Sequence, residues 1–269
     1  MNTYKIAICQ MKTGNDKRKN IDHAKEMIES AMKGDPQIVV LPEMFNCPYQ
    51  NEYFPKFAEE YPGDTSIEMS VLAKKHGIYL VAGSIPEIED GKVYNTCYVF
   101  GKDGTLVGRH RKMHLFDIDV DGGVYFKESD TLTAGDEVTV VDTDLGKIGI
   151  AVCYDIRFPE LSRMMALEGA EVIILPAAFN MTTGPAHWEL SVRMRALDNQ
   201  LYFIGAAPAR CDDASYVAYG NSRVSDPWGE IIAEADASEC IIYAEIDRDK
   251  IGSIREQLPL LAHRRTDIY

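Results

Sequence analysis

Short apolar runs, rich in β-branched residues, recur along this chain as YKIAIC, QIVVLP, IYLVAG, NTCYVF, KIGIAV, EVIILP, LYFIGA and ECIIYAEI. Runs of this length, bounded by Gly, Pro or Asp, are expected to be strands buried on at least one face. Between several of them the apolar residues take helical spacing. Ile21, Ala24, Ile28, Ala31 and Met32 fall on one face, and Leu161, Met164, Met165 and Leu167 on another. That alternation predicts α/β layers. The segment NTCYVFGKDGTLVGR sets a Gly-Lys-Asp-Gly turn between two strand-like runs, so the sheets should be mixed rather than wholly parallel. IVVLPE and VIILPA share a Leu-Pro ending about half a chain apart, a hint of internal pseudo-symmetry.

The 269 residues are long for one domain, but layered folds reach this size as one unit. No low-complexity linker divides the chain, so a single domain over residues 1–269 is expected. The formal net charge of −14 repels phosphate backbones and anionic membranes, which excludes nucleic acid and membrane surfaces as expected partners. A small anionic substrate stays open, because one or two local Arg or Lys residues can dominate a pocket. The six cysteines lie 29 residues or more apart, without C-x-x-C or zinc-ribbon spacing. No apolar stretch approaches bilayer length. A reduced, cytoplasmic protein is the expectation.

One string imitates a metal site. DIDVDGGVYFKE, residues 117–128, fits the calcium-loop template D-x-D-x-D-G-x5-E. That template works when two helices hold the loop, whereas here TLVGRHRK alternates before it and SDTLTAGDE breaks after it. Calcium is therefore not expected, and Glu128 is the residue that both the calcium reading and a functional-carboxylate reading claim. His110 and His114 stand four apart in HRKMH, but a strand end there is not expected to put them on one face, and H-E-x-x-H is absent, so zinc is not expected. Phosphate-binding loops and G-x-S-x-G elbows are absent as well.

What remains is a thiol with charged residues at strand ends, the usual place for chemistry in α/β folds. Glu43 follows IVVLP, Lys112 follows TLVGRHR, and Cys153 follows IGIAV in KIGIAVCYDIRFPE. Each has an ordinary reading: a surface carboxylate, part of a solvated RHRK cluster, and a buried packing cysteine. Together they supply a nucleophile, a base for its proton and a cation for the oxyanion, which thiol catalysis requires. The junction of strand and helix start at Cys153 is also expected to favour the thiolate.

These residues resemble the nitrilase superfamily of carbon–nitrogen hydrolases over nearly the whole chain. LPEMFNCPY is similar to its glutamate motif, HRKMHLFDID to its lysine motif and CYDIRFPEL to its cysteine motif, in the family's order. Within it, HLFDIDV, AFNMTTGPAHWELSVRMRALDNQ and YGNSRVSDPWGE most resemble the omega-amidase branch. DVDGGVYFKES departs from that branch where proline often follows DIDV, which touches loop shape. The resemblance implies a four-layer α-β-β-α sandwich with mixed sheets, association through helical faces into homo-oligomers, and no metal or organic cofactor. It also implies a second glutamate in the site, and Glu128 is the matching position.

The expected reaction is amide hydrolysis through a thioester. Glu43 takes the Cys153 proton, Lys112 and the Tyr154 N–H hold the oxyanion, and Glu128 orients Lys112 and the amide. The branch implies small dicarboxylate monoamides as substrates: alpha-ketoglutaramate, alpha-ketosuccinamate and succinamate. Arg157 and Tyr49 are the candidate anchors for the free carboxylate; the alternative role for Arg157 is a structural pairing with Asp155 or Glu160. The alternatives are an N-carbamoyl amidohydrolase or a nitrilase of the same superfamily, and from other classes a non-catalytic or calcium-binding protein.

Overall fold

Every apolar run quoted above forms a strand in the computed structural model, which describes residues 2–268. The strands are β1 (Thr3–Gln10), β2 (Ile38–Val40), β3 (Tyr79–Glu89), β4 (Lys92–Phe100), β5 (Leu106–Arg111), β6 (Asp117–Asp119), β7 (Tyr125–Lys127), β8 (Thr139–Thr143), β9 (Gly146–Ile150), β10 (Val172–Pro176), β11 (Tyr202–Ala206), β12 (Arg223–Ser225), β13 (Ile231–Glu234) and β14 (Cys240–Asp247). The helices are α1 (Lys17–Ala31), α2 (Phe54–Phe57), α3 (Asp64–His76), α4 (Pro159–Leu167), α5 (Gly184–Asn199) and α6 (Arg248–Gln257). Two six-stranded sheets run β14-β1-β2-β3-β4-β5 and β13-β12-β11-β10-β9-β8, and β6 pairs with β7 as a separate hairpin.

Period-two alternation in the first sheet decides the layers. Ile6, Ile8, Val40, Val81 and Val99 turn inward to a core shared with Ile148 and Ile150 of the second sheet. Their neighbours Ala7, Cys9, Val39, Leu80 and Ala82 turn outward, onto Ile21, Ala24 and Ile28 of α1 and Met69 and Leu72 of α3. On the far side α5 covers the second sheet so closely that a Cβ on Gly205 would lie 2.5 Å from the Trp188 ring. The result is the expected α-β-β-α sandwich. Each buried Ile, Leu or Val contributes about 1.5–3 kcal/mol, and that surplus lets the interior carry ionised groups.

The two halves repeat one another. β1-α1-β2-α3-β3-β4 and β9-α4-β10-α5-β11-β12 each contain three parallel strands with helical crossovers, followed by an antiparallel strand. The Leu-Pro endings of β2 and β10 therefore occupy equivalent central positions. Glu43 comes directly after the first and Ala178 two residues after the second.

Some expectations need correction. Met164 and Leu167 do not share the buried face of Leu161 and Met165; they are about half exposed on the outside of α4. His110 and His114 do reach one group: His110 from within β5 and His114 from the bend that follows it both hydrogen-bond to Asp155. The string 117–128, by contrast, lacks the two-helix frame as expected: it forms the β6–β7 hairpin and a following turn. The short strands β8, β12 and β13 carried too few apolar residues to stand out.

Candidate active site

Glu43 is held by a loop stapled onto a bulge in β3. The register of β3 against β4 shifts between Ala82 and Ile85, and there Ser84 N–H donates to Pro42 O, Phe45 N–H to Ser84 O and Met44 N–H to the Ser84 hydroxyl. The carboxylate is buried, and its partners fix it from both halves of the fold. Oε1 accepts from Asn95 Nδ2 at 2.8 Å and Lys112 Nζ at 3.1 Å, and Oε2 accepts from Ala178 N–H at 2.7 Å.

Lys112 extends β5 by one pairing, its N–H donating to Asn95 O. Its side chain is fully buried, with Nζ also 2.8 Å from Glu128 Oε1 and 3.2 Å from the Tyr49 hydroxyl oxygen. Burial works against the ammonium, but Glu128 and Glu43 outweigh it, and its proton affinity rises above the ordinary lysine value. Glu128 is tied on its other side, where Oε2 accepts from Phe116 N–H at 2.6 Å. The Tyr49 hydroxyl donates to Glu128 Oε1 at 2.6 Å. Both oxygens of Glu128 thus face protein donors, so the carboxylate belongs to this network and not to an ion loop.

Cys153 opens a 3₁₀ turn, Cys153–Arg157, not an α-helix; α4 begins only at Pro159. Its φ is +46°, a left-handed value that a non-glycine residue seldom adopts and that costs about 1–3 kcal/mol unless the surroundings hold it. The thiol is buried and its pKa lies well above the usual thiol range, through burial first and the Glu43 charge second, with Lys112 opposing. The turn does not produce a resting thiolate, contrary to expectation. Burial likewise raises Glu43, with Lys112 lowering and Glu128 raising it further. A carboxylate with raised proton affinity beside a protonated thiol can take that proton during attack, and a buried ammonium beside both can balance charge that develops on a substrate oxygen.

The free space beside Cys153 is about 10 Å³, room for one water, and is lined by Phe116, Tyr154, Arg157, Phe179, Thr183 and Tyr216. Arg157 pairs with neither Asp155 nor Glu160. Its guanidinium lies 5.0 Å from the Phe179 ring centre and 5.6 Å from that of Tyr154, and NH1 is 3.3 Å from His187 Nδ1. Among the described residues it has no carboxylate partner. A larger cavity of about 230 Å³ borders Glu43 and Tyr49, and Ala178 and Tyr216 line both spaces. The Tyr216 hydroxyl donates to Ala178 O at 2.6 Å, and its ring lies 4.5 Å from that of Tyr49.

The structure brings Glu43, Lys112, Glu128 and Tyr49 into one hydrogen-bonded network, with Cys153 within its electrostatic reach. Tyr154 and Arg157 line the space beside the thiol. Sequence reading missed Asn95, Tyr216 and the N–H groups of Ala178 and Phe116. Asn95 sits inside an ordinary strand, and backbone donors carry no side-chain signature.

Comparison with known proteins bears on this geometry. The family model for carbon-nitrogen hydrolase matches residues 5–256. Omega-amidase NIT2-A of Xenopus laevis is 51% identical over 269 residues, covering 100% of this chain and 98% of that protein. Omega-amidase NIT2 of Homo sapiens is 48% identical with the same coverage. The crystal structure of Saccharomyces cerevisiae Nit3, described as a member of branch 10 of the nitrilase superfamily, superposes with a TM-score of 0.91 at 45% identity, over 98% of this chain and 97% of that one.

Proposed function

The chain belongs to the carbon–nitrogen hydrolase family and acts on amides, and we propose that it removes the omega-amide of small dicarboxylate monoamides such as alpha-ketoglutaramate, alpha-ketosuccinamate and succinamate. Glu43 takes the Cys153 proton as sulfur attacks the amide carbon. The oxyanion lies between Lys112 and the Tyr154 N–H, each well-placed donor supplying about 3–4 kcal/mol. Glu43 then returns the proton to departing ammonia and activates the water that opens the thioester. Glu128 orients Lys112 and the bound amide.

The observation that carries the substrate class is Arg157, a guanidinium beside the Cys153 space with no carboxylate partner among the described residues. Its planar fork suits a carboxylate bidentately. The Tyr49 hydroxyl proton is directed to Glu128, so we assign the carboxylate to Arg157 and leave Tyr49 to brace Lys112 and the amide. The names of the omega-amidase relatives support the same class.

The whole chain acts as one catalytic unit in this reading. Its six free cysteines support a reducing, cytoplasmic setting. Met164 and Leu167 of α4 and Leu190 and Met194 of α5 are exposed apolar residues that support self-association through the helical face, which light scattering would test. Among the described residues no helix is long and apolar enough to cross a membrane.

The test is ammonia release from alpha-ketoglutaramate and succinamate beside asparagine, glutamine, an N-carbamoyl amino acid and a simple nitrile, with Cys153→Ala as control. Cysteine-dependent turnover confined to the dicarboxylate monoamides is expected. Turnover of the carbamoyl compound or the nitrile alone would overturn the substrate assignment and leave the thiol chemistry standing.

A further inference from the structure

Two residues past Cys153, the Asp155 carboxylate is fully buried and takes four N–H donors from two chain segments. Oδ2 accepts from Val152 N–H at 3.0 Å and His110 Nε2 at 3.1 Å. Oδ1 accepts from His114 N–H at 2.9 Å and His114 Nδ1 at 2.8 Å. Burial opposes its charge, yet the hydrogen bonds from His110 and His114 hold its pKa below the ordinary aspartate range. It is an ionised hub.

The donors are not scattered. Val152 immediately precedes Cys153, where the backbone enters its left-handed conformation. His110 and His114 stand two residues before and two after Lys112, so the chain is anchored to Asp155 on both sides of the ammonium as it runs out of β5. The outer ends of both imidazoles are braced: His110 Nδ1 is 3.0 Å from the Thr139 hydroxyl, and the His114 ring stacks on Phe158 at 3.6 Å. One carboxylate therefore ties the turn that carries the thiol to the segment that carries the ammonium. Among the described residues no other side chain bonds both Val152 and the flanks of Lys112.

We propose that Asp155 is a positioning residue that sets the spacing between the Cys153 sulfur and the Lys112 ammonium, acting through Val152 on one side and through His110 and His114 on the other. The inference rests on the assignment of Cys153 as nucleophile and Lys112 as oxyanion donor. Misplacing two reacting groups by a fraction of an ångström lowers the rate of the chemical step far more than it weakens substrate binding. Alkylation of the thiol by iodoacetamide forms no oxyanion, so it depends on the thiol and its base and not on that spacing.

The experiment compares kcat and KM on whichever panel amide the wild-type chain hydrolyses fastest, the iodoacetamide alkylation rate of Cys153, and Tm, for Asp155→Asn, His114→Ala, His114→Asn and the double variant Asp155→Asn with His114→Ala. Asp155→Asn is expected to lower kcat about 10- to 100-fold, with KM and alkylation each within about threefold. His114→Ala should lower kcat at least about tenfold. His114→Asn, whose side-chain N–H stands where Nδ1–H stood, should restore most of that loss. The double variant should fall little below Asp155→Asn alone, since both act through one contact. Wild-type kcat in Asp155→Asn would overturn the proposal. So would parallel losses of kcat, alkylation and Tm with no rescue by His114→Asn, the pattern of a purely structural role. If Asp155→Asn does not fold, the two His114 variants decide by rescue. Lys112→Met serves as the separate control: full activity there would sink the oxyanion assignment itself, whatever Asp155 does.

Discussion

Glu43 Oε2 accepts its 2.7 Å hydrogen bond from the Ala178 N–H, so the residues that follow the equivalent strands β2 and β10 meet at one carboxylate. The pseudo-repeat thereby supplies the site from both halves: one strand end gives the acid group, and the other gives a backbone donor that stabilises its ionised form. A third strand end, that of β9, brings Cys153 to the same place. The charged cluster is affordable only because each member has partners; an unpaired buried carboxylate would cost several kcal/mol.

Removing a member of this cluster should be close to all-or-none for turnover. Cys153→Ala is expected to abolish ammonia release, and Glu43→Gln and Lys112→Met each to lower kcat by about 10³-fold or more. Combining the last two should lower it little further, because they act in one step. Losses that simply multiply in the double variant would show that the two groups work independently.

The pH profile follows from the raised Glu43. Its ionised form is the base, so activity is lost as it becomes protonated. A pKa above the ordinary value of 4.5 therefore moves the acid limb of kcat/KM to higher pH than a solvated glutamate would give. In Glu128→Gln a negative neighbour disappears and Lys112 is shared with one carboxylate fewer. Both changes favour the Glu43 anion, so the limb should shift to lower pH even as kcat falls. A profile from pH 4 to 9 checks this, and an upward shift in the variant would remove Glu43 from the assignment.

Much of this was legible in the sequence, and the residues show why. YKIAIC and its counterparts are strands because their apolar runs are buried on at least one face, and Glu43 and Cys153 follow two of them, whereas Lys112 follows the half-exposed β5. Glu128 was harder. Its local string imitates a calcium loop, and only the approach of Lys112 and Tyr49 from distant segments explains the carboxylate. Asp155 gave no signal, since a carboxylate that organises other groups looks in sequence like any solvated one. Met164 and Leu167 misled for the opposite reason: apolar residues on an outward face read as core.

The same calcium-like string yields a plain test. Asp117 Oδ1 accepts from Ser129 N–H at 3.0 Å, and both Glu128 oxygens are taken by protein donors. Chelator should leave turnover unchanged, and millimolar calcium should leave Tm within about 1 °C, because a ligand that binds only the folded state must raise it. A concentration-dependent rise in Tm with calcium would restore the metal reading.

Arg157→Gln should separate carboxylate recognition from chemistry. Losing a charged hydrogen-bonded pair of about 1.5–3 kcal/mol raises KM for succinamate roughly 10- to 100-fold. An uncharged amide of similar length should be affected less than about threefold. Equal losses on both substrates would assign Arg157 to the architecture of the turn.

Gly83 tests whether the β3 bulge positions Glu43. It has φ +27°, and a Cβ there would lie 2.0 Å from Pro42 O and 2.8 Å from Leu41 O, the backbone that leads into Glu43. The oxygen cannot yield as a flexible side chain would, so in Gly83→Ala the loop itself must move. A cost of about 2–3 kcal/mol from strain and overpacking corresponds to a fall in Tm of roughly 5–10 °C at this chain length. Displacement of the base should lower kcat more than tenfold at temperatures far below that Tm, with KM nearly constant. Gly91→Ala is the control: φ is +75° there, but nothing lies within 4 Å of the added Cβ. It should lose about 1 kcal/mol of stability and no activity. If the two variants lose stability alike and neither loses activity, the Glu43 loop is held by its other hydrogen bonds and the bulge is incidental to the site.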